Sequence, residues 1–427
     1  MEDAGLHLRS FLGLFAFALI AWLFGPRKRI SLMLVGGAIG LQFAIAFILY
    51  SFSPTRAFLQ SLTQFVQLLQ DATTAGTSFV FGYVGGAPPP FLTDPDSAGG
   101  LFVFGFQALP MLIVLSALSA LLWRWRILEF IVRGFAFAFR KMLNLSGAAS
   151  LGAAANIFLG MTESPVLIRP RMPQLSKSDL FLIMTVGFST VAGSVMAIYV
   201  SQLSDVLAGA AGHIVTASLI SVPAAVLVAR LMYPHDGPAD EDESDEKIPT
   251  VIYQSSMDAL TTGVTDGVKL FVNIIAMLIT FIALVTLVNF ALGALPDIAG
   301  EALTVQRLLG WLFAPLVWLA GVPWSEAVDA GSLMGLKTAL NEIVAYDSLA
   351  GMGETLSPRT RMIMTYAICG FANFSSVGIL MGGLIAIAPS RREDILRLAP
   401  RALISGTLAT LMTGGVVGAL PMSLFAA

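Results

Sequence analysis

The chain has 427 residues, of which 56% are hydrophobic and only 12% are charged. Soluble globular domains carry about 25% charged residues, because polar groups must cover a surface that faces water. The composition therefore excludes a soluble enzyme and a disordered protein, and a net charge of −3 gives no basis for binding nucleic acid. One cysteine and three widely spaced histidines exclude an internal disulfide and indicate no zinc site. The remaining fold class is an all-α polytopic membrane protein.

Eight mostly apolar segments are candidates for transmembrane helices, which need about 20 residues to cross a bilayer. They are residues 10–24, 31–52, 101–123, 179–201, 207–232, 270–292, 361–388 and 399–424. The chain then divides into four parts. Residues 1–98 hold spans 1 and 2 with an external loop and interfacial helix. Residues 99–234 hold span 3, a basic interfacial helix, a first hairpin and spans 4 and 5. Residues 235–249 form an acidic cytoplasmic linker. Residues 250–427 hold a third interfacial helix, span 6, a second hairpin and spans 7 and 8.

The basic residues predict the orientation, because positive charge collects on the cytoplasmic side. Four basic clusters fall on one side if both termini lie outside: 27–29, 124–141, 169–177 and 391–401. Arg359 and Arg361 then lie on the outer side, against the rule.

Two apolar segments, 145–171 and 327–352, are studded with glycine and polar residues, and each contains a glutamate, Glu163 or Glu342. A carboxylate at membrane depth costs several kcal/mol unless it faces a cavity or a partner. Irregular backbone is tolerated there only where it is buried in protein or lines such a cavity. We therefore predict two re-entrant hairpins that enter from opposite faces, which is the inverted repeat typical of secondary transporters.

A structural role for these polar residues is the alternative. The glutamates would then form ion pairs with Lys337 or Arg169 that lock helices together. The hydroxyls of the polar clusters 189–195 and 371–376, which follow the two hairpins, would then serve helix packing.

Five motifs in this chain resemble those of the concentrative nucleoside transporter family. They are Asn156–Pro165, Lys337–Tyr346, Cys369–Ser376, Phe104–Pro110 and Asp266–Lys269. The resemblance covers most of the chain from about residue 100 onward. It implies a homotrimer in which each chain has eight spans and two opposed hairpins. It also implies cation-coupled nucleoside uptake by an elevator movement of the hairpin-bearing half, in a bacterial inner membrane.

The motif positions carry over three groups of contacts. The nucleobase would meet Gly160, Met161, Thr162, Glu163 and Val195. The ribose would meet Glu342, Asn373 and Ser376, with Phe371 packing nearby. The coupling cation would lie at Asn156, Leu159, Thr190 and Val191, largely on carbonyl oxygens.

These residue types suit that chemistry. A carboxylate such as Glu342 can accept two hydrogen bonds from the vicinal hydroxyls of a ribose. An oxygen-only set without a titratable group favours Na⁺ as the coupling ion, and a proton carried by Glu163 is the alternative. Met161 departs from the family, which usually has glutamine there. A thioether cannot donate to a base, which predicts a less selective base contact.

Other functions remain open from the residues alone. A purine or nucleobase carrier would leave the Glu342, Asn373 and Ser376 group without a partner. A channel needs no such group, and an intramembrane aspartyl-type protease would normally use aspartates.

Overall fold

The computed structural model describes residues 2–29, 31–92, 101–204, 206–235, 253–298 and 300–425. Apart from His235, the predicted acidic linker lies outside these residues. Within them the chain is helical, and its one β-type pairing is an isolated bridge between Ile298 and Glu301. The all-α prediction is thus confirmed over the described part of the chain.

Among the described residues, ten α-helices precede the acidic linker. They are α1 (Glu2–Phe24), α2 (Leu32–Ser51), α3 (Ser53–Phe81), α4 (Phe104–Gln107), α5 (Met111–Arg124), α6 (Ile127–Leu143), α7 (Gly147–Leu159), α8 (Lys177–Ser189), α9 (Gly193–Leu203) and α10 (Ala210–Met232). Seven more α-helices follow the linker in the part of the chain that the structure describes. They are α11 (Ser256–Gly293), α12 (Val305–Leu319), α13 (Ala327–Ala339), α14 (Glu342–Met352), α15 (Pro358–Ile368), α16 (Phe374–Ile387) and α17 (Arg392–Ala419).

Seven helical segments of the described chain are long and apolar enough to cross a membrane, and they coincide with seven of the eight predicted spans. They are Ala4–Phe24, Leu32–Ser51, Phe104–Arg124, Lys177–Leu203, Ala210–Met232, Ser256–Gly293 and Pro389–Ala419. The remaining predicted span, 361–388, is two short helices, α15 and α16. The chain is a multi-pass membrane protein, and the count of eight stays a prediction.

Some helices differ from the sequence prediction. The basic helix expected near 124–142 is present as α6, and α3 is a 29-residue helix in the stretch that was expected to form an external loop and an interfacial helix. Helix α12 was not predicted. It packs along α13, and at 15 residues it is shorter than a span and contains Pro315.

Helices α8, α10 and α17 form the buried centre, whereas α11 is exposed along most of its apolar length. The contact of α11 with α5 depends on Gly263 and Gly267. A Cβ on Gly263 would lie 2.7 Å from the Cα of Ala117, and one on Gly267 would lie 2.7 Å from the Cα of Ile113. This small-residue spacing lets two apolar helices approach closely.

The halves of the chain repeat one pattern. In the first half, the start of α8 is tied to the end of α10 by an ion pair of Asp179 with Arg230, at 2.6 Å. In the second half, the start of α15 is tied to the end of α17, because the Arg359 guanidinium donates to the Gly418 carbonyl oxygen. Arg359 is buried, and its guanidinium also donates to the Gly321 carbonyl and the Ser10 hydroxyl. Its position is therefore explained by packing within the protein, which gives a physical reason for its predicted exception to the charge rule.

Candidate functional site

Each half of the chain has two interruptions in its helices, and these bring the candidate residues together. In the first half they are the turn after α7 and the gap 190–192 between α8 and α9. In the second half they are the gap 340–341 between α13 and α14 and the gap 369–373 between α15 and α16. A helix end leaves backbone N–H or C=O groups unpaired, so side chains or ligands must satisfy them.

The turn after α7 presses against the gap between α8 and α9. Gly160 has φ 89°, and a Cβ there would lie 2.8 Å from the Cβ of Ala192. A Cβ on Gly193 would lie 3.1 Å from the carbonyl oxygen of Phe158. Glycine is therefore required at position 160, where both the positive φ and the close contact exclude a side chain, and a side chain at position 193 would push the neighbouring backbone away.

Asn156 joins this turn to α8. Its Nδ2 donates to the Thr190 hydroxyl at 2.6 Å and to the Val186 carbonyl at 3.1 Å. Its Oδ1 accepts from the Ser164 hydroxyl at 2.9 Å. Leu159 ends α7, and Val191 is buried in the adjoining gap. The four residues predicted to bind a cation thus lie on two segments in contact. Ser164 is an additional oxygen in this cluster that the sequence reasoning missed.

Glu342 lies at the centre of a second polar cluster. Asn341 begins α14 by accepting from the backbone N–H of Val344, which makes Glu342 the first residue of the helix. The Glu342 side chain is buried, and each of its oxygens has a donor. Tyr199 donates its hydroxyl to Oε1 at 2.8 Å, and Asn373 donates Nδ2 to Oε2 at 2.8 Å.

Asn373 also begins a helix, because its Oδ1 accepts from the backbone N–H of Ser376 at 2.7 Å. The Ser375 hydroxyl donates to the same oxygen. Glu342, Asn373 and Ser376, the predicted ribose contacts, are therefore brought together, with Phe371 buried in the same gap.

Tyr199 was missed by the sequence reasoning. It lies one helical turn after Val195, a predicted base contact that is buried on the same helix, and this spacing is the signal that could have found it. Its ring packs against that of Tyr346 with centroids 4.8 Å apart.

The predicted base contacts divide by exposure. Met161 is 7% exposed and packs against α8, because a Cβ on Gly187 would lie 3.1 Å from its own Cβ. Thr162 packs against Gly383 of α16. Glu163 is exposed on the surface of the single chain.

Glu163 lies within electrostatic range of the start of α11. Burial raises the pKa of the Tyr253 phenol just before α11, and the nearby carboxylates of Asp266, Glu163 and Asp258 raise it further. The turn after α7, which carries Glu163, is therefore close to the start of α11.

Lys337 bonds to neutral oxygens, not to a carboxylate. Its Nζ donates to the Ala367 carbonyl and to the Thr410 hydroxyl, both at 2.9 Å. The two oxygens of Glu342 are likewise held by neutral donors. This geometry does not support an ion pair of Lys337 with Glu342 as the reason for the buried charges.

The described residues form a helical bundle with apolar helices on its outside, and the interrupted helices place polar residues in its interior. This architecture is typical of membrane transporters. Three family signatures match. "Na+ dependent nucleoside transporter N-terminus" matches residues 12–84, "Nucleoside recognition" matches 105–205, and "Na+ dependent nucleoside transporter C-terminus" matches 213–418.

Individual proteins match along nearly the whole chain. The uncharacterized transporter YutK of Bacillus subtilis is 37% identical, over 96% of this chain and 98% of that protein. The nucleoside permease NupC of Helicobacter pylori is 34% identical, over 96% of this chain and 97% of that protein. The solved structure of CNTnw in an inward-facing substrate-bound state has a TM-score of 0.85 and 34% identity, and covers 98% of this chain and 99% of that one.

The chain belongs to the concentrative nucleoside transporter family. Like these relatives, it is a transporter and not an enzyme.

Proposed function

We propose that this chain imports nucleosides into a bacterial cell across the inner membrane, driven by the entry of a cation, with Na⁺ as the coupling ion. The observation that carries the proposal is the buried carboxylate of Glu342, held between Tyr199 and Asn373 at the meeting point of α9, α14 and α16. A buried carboxylate so arranged can accept further hydrogen bonds, because each oxygen accepts about two.

A ribose supplies the matching donors. Its neighbouring hydroxyls can both donate to Glu342, while the Asn373 amide and the Ser376 hydroxyl lie beside it to complete the contact. The base would then extend toward Val195 and the turn formed by Gly160, Met161, Thr162 and Glu163.

The cation site we propose lies at the neighbouring contact of α7 with α8. The oxygens of Asn156 and Thr190, with the carbonyls of Leu159 and Val191, form a neutral oxygen set. Such a set suits Na⁺, and helix interruptions expose carbonyl oxygens to an ion. A cation there would strengthen the contact between hairpin 1 and α8, which links ion binding to the shape of the nucleoside site.

We further propose eight spans, two re-entrant hairpins opening to opposite sides, and a homotrimer. In the elevator movement, the buried centre of α8, α10 and α17 would travel against a fixed scaffold containing α5 and α11. The exposed apolar face of α11 supports this assignment, because it needs lipid or a neighbouring subunit to cover it.

The test is uptake of labelled uridine by the purified protein in proteoliposomes, with Na⁺ and proton gradients imposed separately. We expect uptake under a Na⁺ gradient. Glu342→Gln should weaken binding roughly tenfold to a hundredfold, because it removes an ionised acceptor worth about 1.5–3 kcal/mol. Glu301→Gln is the matched control, because Glu301 is exposed and far along the chain from the site.

Two results would overturn parts of this proposal. Full uptake in choline under a pH gradient would replace Na⁺ by a proton. A folded Glu342→Gln variant that transports uridine with unchanged affinity would remove Glu342 from the ribose site.

A further inference from the structure

Lys337 is a lysine with no exposed surface, and the uptake cycle described above does not use it. Burying an ammonium costs several kcal/mol unless oxygens compensate its lost hydration. Two do so here, the Ala367 carbonyl and the Thr410 hydroxyl, each at 2.9 Å.

The position of these oxygens favours a cation. Ala367 is the penultimate residue of α15, which ends at Ile368 beside the gap 369–373. The carbonyls at the end of a helix carry partial negative charge and attract cations. The ammonium of Lys337 thus occupies an oxygen-lined place at the end of an interrupted helix.

The corresponding place in the first half is the proposed Na⁺ site. Asn156 lies three residues before the end of α7, and it reaches the Val186 carbonyl in the last turn of α8 and the Thr190 hydroxyl just after it. Lys337 lies two residues before the end of α13, and it reaches the Ala367 carbonyl in the last turn of α15. Helices α7 and α8 correspond to α13 and α15 in the repeat. At this position the first half has the neutral amide of Asn156, and the second half has the charged ammonium of Lys337.

We infer that the Lys337 ammonium is a tethered cation, which fills in the second half the site that a free cation fills in the first. The chain therefore takes up one free cation per nucleoside. This inference rests on the proposed cation site of the first half.

The test replaces Lys337 by asparagine, which is the residue type at the corresponding position 156 of the first half. In Lys337→Asn, the space and the oxygens left behind should accept a second Na⁺. Lys269→Asn is the matched control, because it makes the same change in charge at an exposed lysine on α11.

The first readout needs no substrate. Thermal unfolding of the detergent-solubilised protein is measured in NaCl and choline chloride mixtures of constant ionic strength. A ligand that binds only the folded state raises its stability with concentration, by RT ln(1 + [L]/Kd). We expect Lys337→Asn to melt well below the wild type in choline and to recover more with Na⁺ than the wild type or Lys269→Asn does.

The second readout is the charge moved per uridine in proteoliposomes. It should rise from about one elementary charge in the wild type to about two in Lys337→Asn, if a second ion is now bound and carried. A folded Lys337→Asn with wild-type Na⁺ dependence and an unchanged charge ratio would overturn the inference.

Failure to fold is also informative. A variant recovered only when purified in high Na⁺ supports the tethered cation, and one lost equally in Na⁺ and choline contradicts it. Failure of the proposed function looks different, because wild-type uptake would then be independent of Na⁺ whatever the variant does.

Discussion

Tyr199 is one of the two donors that hold the Glu342 carboxylate in place, with Asn373 as the other. Its hydroxyl is 2.8 Å from Oε1, and its fully buried ring is fixed against Tyr346. Since a carboxylate oxygen accepts about two hydrogen bonds, Tyr199 can stay in contact while a ribose hydroxyl adds the second. In the proposed ribose site, Tyr199 would therefore act as a positioning residue for Glu342.

Tyr199→Phe should weaken uridine binding by up to about tenfold, because the loss of one hydrogen bond to an ionised group leaves Glu342 less well oriented. The measurement compares KM for uridine and for 2′,3′-dideoxyuridine, and the second should barely change. Tyr346→Phe is the control, because the Tyr346 hydroxyl donates to the Thr365 carbonyl and not to Glu342. Equal shifts for both substrates in Tyr199→Phe would reduce the role of Tyr199 to packing.

Met161 gives the second prediction at this scale. A thioether offers polarisable contact but no donor to a base. Met161→Gln should sharpen discrimination between nucleosides by about 1 kcal/mol, the scale of one net hydrogen bond, and leave the Na⁺ dependence unchanged.

The buried position of Met161 adds a second readout. A glutamine there has no partner until a base arrives, so preferred nucleosides should raise the melting temperature of Met161→Gln more than that of the wild type. Met161→Leu is the apolar control. Identical substrate profiles for Met161→Gln and the wild type would remove this residue from the base site.

At the scale of elements, the contact of the turn after α7 with the gap between α8 and α9 is the feature most sensitive to substitution. Gly160→Ala combines a positive φ with a Cβ that would lie 2.8 Å from that of Ala192. We expect a loss of about 1–3 kcal/mol in unfolding free energy and a rise in the Na⁺ concentration needed for uptake, because the strained turn also holds Asn156 and Leu159.

Gly147→Ala tests whether this effect is local. Gly147 begins the same helix, and a Cβ there meets nothing within 4 Å. Alanine in a helix is more stable than glycine, so this variant should be neutral or slightly stabilised. An equal loss in both variants would mean that α7 as a whole, and not its contact with α8, determines the Na⁺ response.

The sequence predicted those elements whose signal is local. Of the eight segments that hydropathy identified, seven coincide with long apolar helices of the described chain, and the glycines and glutamates of the two predicted hairpins marked where helices are interrupted. Helix α12 was missed because it is too short to span and contains Pro315. The bond of Tyr199 to Glu342 joins residues 143 positions apart, and the bonds of Lys337 reach α15 and α17. Such partners depend on tertiary packing, which no local pattern encodes.

For the whole molecule, the repeated pattern is visible at its ends as well as at its centre. In the first half, the ion pair of Asp179 with Arg230 joins the start of α8 to the end of α10. In the second half, the hydrogen bond from Arg359 to the Gly418 carbonyl joins the start of α15 to the end of α17. Lys337 and Asn156 are the corresponding pair inside. The two halves thus share one architecture but differ in charge at this position, where the Asn156 amide is neutral and the Lys337 ammonium is charged.

The last prediction concerns how these halves face the membrane. The basic clusters predict that the connection after hairpin 1 lies inside the cell and that the connection after hairpin 2 lies outside. Gln174 in the first connection and Thr355 in the second are exposed, and the native Cys369 is buried. In a Cys369→Ala background, a membrane-impermeant maleimide should label Thr355→Cys in intact cells and Gln174→Cys only in inverted membrane vesicles. The Cys369→Ala protein alone should remain unlabelled in both preparations. Labelling of the two variants from the same side would contradict the inverted repeat, because the two hairpins would then enter the membrane from one face.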